Sequence, residues 1–237
     1  MALEHSHSAE DIAARLDAEN DNGRLRDAIF GGIDGTVTTF AIVAGVQGAG
    51  LAHGIVVALG LANVLADGFS MAAGNYAGMK AIEDDRQRLW DVEERHIREH
   101  RQGELDELTQ ILARKGLQGQ VLEDAVAMIS EDKEQWISLM MSDEYGLPPS
   151  HTKPMRAALA IFTAFVVAGM FPLLPFLLGV PAAFSWSIGL SGLTFFGIGA
   201  IKSKWSLAHW TYSGFETLLI GGTAATLAYA VGRLFHP

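Results

Sequence analysis

The sequence contains no cysteine, so it can form neither a disulfide nor a thiolate metal site. It also lacks any cluster of basic residues: 17 Lys and Arg face 27 Asp and Glu, for a formal net charge of −10. A nucleic-acid partner calls for a basic face that neutralises phosphates, so DNA and RNA are excluded as expected partners. The N-terminal residues are polar and acidic (Glu4, Glu10, Asp11, Asp17). They lack the short apolar core and small-residue cleavage site of a secretory signal. No proline and no glycine pair interrupts the stretch from Ile55 to Glu107, which begins as an apolar run and ends among carboxylates and histidines.

What the sequence does have is two segregated populations. Residues 80–146 hold 17 of the 27 Asp and Glu against 9 Lys and Arg, which accounts for −8 of the net −10. Most of the remainder is apolar runs joined by short links. Such blocks read as a membrane domain carrying one acidic, water-soluble insert. The expected divisions are an N-terminal amphipathic segment (1–27), two spans (28–79), the acidic helical insert (80–152) and three further spans (153–237). In the first of these, residues 8–22 open with a capping-box pattern at Ser8 and Asp11 and carry Ile12 and Leu16 on one face. His5 and His7 precede it and are read as part of a frayed terminus.

Five apolar segments cover roughly Ala28–Val46, Ile55–Met79, Ala157–Leu178, Ala182–Ile201 and Tyr212–Leu234. Each approaches the ~20 residues that cross a hydrocarbon core. Five spans place Arg24, Arg26, Lys80, the insert, Lys153, Arg156, Lys202 and Lys204 on one side of the lipid bilayer, and Arg233 alone on the other. By the positive-inside rule the N-terminus and insert are then cytoplasmic. The expected fold class is an all-α integral membrane protein with the insert between the second and third spans.

Three acids fall within these spans: Asp34, Asp67 and Glu216. A carboxylate at mid-bilayer costs at least ~2.5–3.5 kcal/mol on insertion scales, so each is a functional candidate. Asn63, Asp67, Ser70 and Met71 lie on one helical stripe. Hard oxygens beside a thioether suit a borderline divalent ion such as Fe(II) better than Ca²⁺ or Mg²⁺. Other accounts stay open at this point. Met71 could be packing or lipid-facing, Asp34 could mark a helix-breaking turn among glycines, and Glu216 could serve a helix N-terminus.

Within the insert, Glu93, His96 and His100 are spaced i, i+3, i+7, and Gly103 is the expected break before a helix bearing Glu104 and Glu107. A third helix is expected over about Gln118–Ile129 and a fourth over about Glu131–Tyr145, the latter carrying Met140, Met141 and Glu144. Carboxylates at i, i+3 with a nearby histidine hold di-iron or di-manganese centres in helical bundles. A solvated charged face, with Arg95, Arg98 and Arg101 in i, i+4 ion pairs, is the alternative on spacing alone.

Five motifs in order carry a resemblance. They are Gly32-Ile-Asp-Gly-Thr-Val, Phe69-Ser-Met-Ala-Ala-Gly-Asn-Tyr, Trp136-Ile-Ser-Leu-Met-Met-Ser-Asp-Glu-Tyr-Gly-Leu, Phe171-Pro-Leu-Leu-Pro-Phe and Phe215-Glu-Thr. From about Arg24 onward the chain resembles the vacuolar iron transporter family, including its bacterial members. The resemblance implies a five-span homodimer that moves Fe(II), and often Mn(II), out of the cytosol in exchange for protons. Its pore would lie between protomers, lined by spans one and two, with Asp34 and Met71 on the family's pore positions. Glu93, Glu104, Glu107, Met140, Met141 and Glu144 fall on the positions with which the family's cytoplasmic domain holds ions. Two departures stand out: Asn63 replaces a pore glutamate found in some members, with Asp67 one turn deeper, and His96 stands at a usual glutamate position.

The expected function is therefore transport of divalent metal ions with no prosthetic cofactor and no enzymatic step, at the bacterial inner membrane. A membrane-anchored di-iron ferroxidase or iron-storage protein is the alternative. A histidine-box desaturase is disfavoured, because His96 and His100 form the only such pair.

Overall fold

The computed structural model of the protein describes residues 7–17, 22–147 and 153–236. Among the described residues the chain is helical, without strands. In order it forms α1 (Ala9–Asp17), α2 (Asn22–Gly48), α3 (His53–Glu99), α4 (Arg101–Arg114), α5 (Gly119–Glu131), α6 (Lys133–Asp143), α7 (Pro154–Leu177), α8 (Ala183–Lys202), a 3₁₀ turn (Ser203–Trp205) and α9 (Trp210–Leu234). The predicted capping box is present at the start of α1, where Ser8 Oγ accepts from the Asp11 N–H at 3.2 Å and donates to Asp11 Oδ2 at 2.7 Å. The helix α1 covers Ala9–Asp17 of the expected 8–22, and residues 18–21 lie outside the described residues. His5 lies outside the described residues.

Five helices, α2, α3, α7, α8 and α9, are long and apolar enough to cross a membrane. The chain divides into two compact units. One joins Met1–Tyr76 with Thr152–Pro237, and the other is Ala77–His151. The helix α3 is common to both and unbroken.

In the first unit Phe40, Val43, Val56, Val64, Leu173, Phe176 and Phe195 form the core. The helix α2 packs most extensively on α7 and next on α9. Its glycines make that approach possible. A Cβ on Gly31 would lie 2.5 Å from the Ile161 carbonyl oxygen, and one on Gly35 would collide with that of Phe165. On α7, Gly169 answers them, with the Gly35 carbonyl 3.0 Å from where its Cβ would be. Helices thus meet backbone to backbone, the packing small residues permit where lipid removes the hydrophobic drive. Pro172 and Pro175 lie inside α7, and Ser187 of α8 donates to the Pro172 carbonyl at 2.7 Å.

In the second unit Ile97, Leu108, Leu112, Trp136, Ile137, Met140 and Met141 are buried together. The Arg101 guanidinium sits 4.9 Å from the Trp136 ring centre and donates to the Ser130 carbonyl at 3.1 Å. Asp132 caps α6 by accepting from the N–H groups of Glu134 and Gln135. One expected boundary is corrected: α3 ends at Glu99, and His100, at φ −135°, separates it from α4. Gly103 lies inside α4, in its first turn, where an N–H needs no intrahelical partner and glycine costs least.

The α2–α7 seam has a direct consequence. Gly35→Ala forces a methyl against a backbone carbonyl that cannot rotate away, an overpacking worth about 1–3 kcal/mol. The variant should melt at lower temperature than the parent in the same detergent, whereas Gly74→Ala, at a position with open space around it, should not.

Candidate functional site

The polar residues of the two units form two separate constellations. In the first unit, α2 runs unbroken through Gly31–Thr36, so Asp34 lies in mid-helix and not at a turn. The local hydroxyls serve the backbone, with Thr36 Oγ1 donating to the Gly32 carbonyl at 2.8 Å and Thr38 Oγ1 to the Asp34 carbonyl at 2.9 Å. Across from them Asn63 Nδ2 of α3 donates to Thr38 Oγ1 at 3.3 Å. One turn along α3, Asp67 is near enough to Asp34 for the two carboxylates to repel. Asn63, Asp67, Met71 and Asp34 are all half-buried within the protomer.

Two acids in the spans differ from expectation. The helix and its apolar span begin earlier than Ala28 and take in Asp27, only 5% exposed, which lies 3.8 Å from Arg26. Its signal in the sequence was its spacing: Asp27 is seven residues before Asp34, on the same face of α2. Glu216 lies in the second turn of α9 and is paired with Lys202 at 2.9 Å. That pair accounts for its presence.

In the second unit, α3, α4 and the end of α6 bring Glu93, His96, Glu104, Glu107 and Glu144 into mutual electrostatic range. Glu93 and Glu104 are 1% and 5% exposed, while Glu107 and Glu144 face solvent. His96 Nδ1 lies 3.4 Å from Glu104 Oε1. The Tyr145 hydroxyl donates to Glu93 Oε1 at 2.8 Å. This tyrosine was missed from the sequence, although it directly follows Glu144. Glu93 Oε2 and Glu104 Oε2 are buried with no hydrogen-bond donor.

Other expected residues are placed differently. His100 is exposed at the α3–α4 junction and leaves the helical face it was expected to share with Glu93 and His96. Met140 and Met141 are buried among Ile97, Leu108, Leu112, Trp136 and Ile137. Nor do the arginines neutralise the cluster. Arg98 pairs with Glu99 at 3.3 Å and Arg101 stacks on Trp136. Among the described residues no Lys or Arg pairs with Glu93, Glu104, Glu107 or Glu144. Nor do three His, Asp or Glu side chains among them stand close enough together to form a finished coordination set.

The charge balance of the cluster follows. Burial first, then repulsion from Glu93 and Glu107, a hydrogen bond with Glu93 and repulsion from Glu144 push the Glu104 carboxyl up to about 7. Burial and repulsion thus favour the protonated form of Glu104 beside Glu93. Burial and the same neighbours also raise Glu144, against weaker opposing pulls from Tyr145 and His96. By contrast Glu94, hydrogen-bonded to Lys133, is held below the ordinary range. Two buried carboxylates with bare oxygens, two exposed ones and an imidazole are a hard-to-borderline donor set that suits a divalent transition metal.

Comparison with known proteins is decisive for the family. The model described as the VIT family matches residues 25–233. The chain belongs to the VIT family. It is 32% identical over 212 residues to "Vacuolar iron transporter 1" of Tulipa gesneriana, covering 88% of this chain and 86% of that protein. It is 31% identical over 214 residues to "Vacuolar iron transporter 1" of Arabidopsis thaliana, covering 89% and 85%. To "Vacuolar iron transporter" of Toxoplasma gondii it is 35% identical over 229 residues, covering 90% and 74%. Both constellations of this VIT-family chain fall inside the matched residues.

The raised Glu104 carboxyl sets the sign of a pH effect. Its unfolded form ionises near the ordinary 4.5 while the folded form holds its proton to about 7. The unfolded state therefore binds fewer protons in that window, and metal-free stability falls as pH rises through it and then levels off. Chelator-treated protein should melt higher at pH 5 than at pH 8, and Glu104→Gln should narrow the gap. Added Mn(II) should raise the melting temperature more at pH 8 than at pH 5.

Proposed function

We propose that this chain is a homodimeric transporter that moves Fe(II) and Mn(II) out of the cytosol in exchange for protons, with the helical insert capturing the ion. The observation that carries the proposal is the facing of Asp34 and Asp67 on two apolar helices, joined by the Asn63–Thr38 hydrogen bond. Two carboxylates repelling each other without a basic partner in an apolar span are costly unless a cation or proton comes between them. The name carried by the curated relatives supports iron as the cargo. Met71 on the same helix adds a soft donor suited to such an ion.

A second copy of the chain completes the pathway in this reading. The α3 surface beside Asp67 and Met71 leaves Leu65 and Phe69 exposed at 59% and 68% in a single protomer. In this reading the membrane is the bacterial inner membrane, and the positive-inside count supports an insert on its cytoplasmic side. The insert then binds the ion in water through Glu93, Glu104, Glu107, Glu144 and His96, and Asp34, Asp67 and Met71 pass it through the lipid. Asn63 carries no charge, so proton exchange falls to the two aspartates. A ferroxidase reading would leave Asp34 and Asp67 without a role.

The test is uptake of Fe(II) or Mn(II) into proteoliposomes under a pH gradient. Asp34→Asn keeps the shape and removes the charge. It should slow uptake about tenfold or more, since a single charge–ion contact worth ~1.4 kcal/mol is already a factor of ten. Transport at the parent rate would remove Asp34 from the pathway.

A further inference from the structure

Each buried glutamate of the insert has one oxygen beside a polar side chain and the other without a hydrogen-bond partner, and on Glu93 the first is held by a donor. On Glu93, Oε1 accepts from the Tyr145 hydroxyl at 2.8 Å while Oε2 has no partner. On Glu104, Oε1 faces His96 Nδ1 at 3.4 Å while Oε2 has none. Tyr145 arrives from beyond the end of α6, 52 residues from Glu93, and is itself half-buried. Building on the metal-capture reading above, we propose that Tyr145 is the positioning residue of Glu93: its hydroxyl holds Oε1 so that Oε2 is presented to the captured divalent ion.

The physical case rests on rotation. A glutamate carboxylate turns easily about its last torsion, and an ion meets it with one oxygen or both. A donor fixed on one oxygen restricts that rotation and favours binding through the other. The constraint is built before the ion arrives, so less ordering remains when it binds. The carbonyl of Met141 accepts from the Leu147 N–H at 2.8 Å just past Tyr145, and the Glu144 N–H donates to Met140. These bonds fix the backbone on both sides of the ring. Tyr145 is therefore aimed by its main chain and not by the hydroxyl alone. Partners that hold a metal ligand from behind typically account for about 10–100-fold in metal affinity.

The experiment compares Tyr145→Phe with the parent, full-length in detergent and in proteoliposomes, using Mn(II) as the probe. Free Mn(II) is read by electron paramagnetic resonance, and transport by initial uptake rate over a range of Mn(II) concentrations. Two reference variants accompany it. Glu104→Gln removes a ligand, and Lys115→Ala breaks the 2.7 Å Lys115–Asp143 pair, which ties α4 to α6 through two residues outside the ligand set. The proposal expects Tyr145→Phe to weaken Mn(II) binding about 10–100-fold and to raise the concentration for half-maximal uptake, with the maximal rate unchanged. Lys115→Ala should bind as the parent does. If Glu104→Gln weakens binding while Tyr145→Phe binds like the parent, or loses only maximal rate, Tyr145 is a structural contact and the proposal is overturned while metal capture stands. If Glu104→Gln also binds like the parent, capture by this cluster is overturned, and the role of Tyr145 falls with it.

Discussion

A carboxylate withdrawn from water must be answered by a cation, a proton or hydrogen-bond donors, because its bare desolvation costs several kcal/mol. The chain meets that demand in two ways. Several acids outside the two constellations have a lysine. Lys133 holds Glu94, Lys115 holds Asp143 and Lys202 holds Glu216. The acids of the two constellations have none. Asp34 and Asp67 face each other across two apolar helices, and Glu93 and Glu104 share a buried space in the insert. What distinguishes the acids of the two constellations from these paired ones is therefore the missing counter-charge, more than their number.

The two constellations solve this differently because their surroundings differ. In the insert, solvent is near; burial favours a proton on Glu104, the Tyr145 hydroxyl donates to Glu93, and His96 stands 3.4 Å from Glu104. The hydrophobic core of Trp136, Ile137, Met140 and Met141 holds the helices that carry these groups, so the ligands are set on rigid elements. In the spans, the Thr36 and Thr38 hydroxyls and the Asn63 amide near Asp34 are engaged with one another or with backbone carbonyls. Little but a proton or a metal ion is left to lower the cost there.

Much of this was legible in the sequence, for reasons that also mark where legibility ended. Long apolar runs announce spans because every backbone group in lipid must be bonded within its own helix. The acidic insert was visible as a block of charge, and its helices as a change in periodicity. Tertiary facts were not visible. Tyr145 reaches Glu93 over 52 residues of sequence, a distance no periodic pattern covers. Asp27 was left outside the first span because a hydropathy reading starts where charge stops, while its burial comes from packing. The α3–α4 break was placed at Gly103 on helix propensity, but glycine in a first turn costs little, and the chain turns at His100 instead. Glu216 looked like an isolated intramembrane acid only because Lys202 is on another helix.

The glycines of α2 connect packing to the site. Gly31 and Gly35 stack one turn apart and bring their face of the helix against the backbone of α7, with Gly169 opposite. Asp34 and Thr38 are likewise one turn apart, on a stripe rotated about 60° from the glycines. Fixing the glycine face on α7 therefore fixes the helix about its own axis and turns Asp34 and Thr38 toward Asn63 and Asp67 of α3. A larger residue in the seam would do more than separate two helices. It would rotate or displace α2, and with it the carboxylate that faces Asp67. The small residues are thus part of the site without touching it, which is why the Gly-Gly-Ile-Asp-Gly run reads as one unit and not as a flexible stretch with an acid in it.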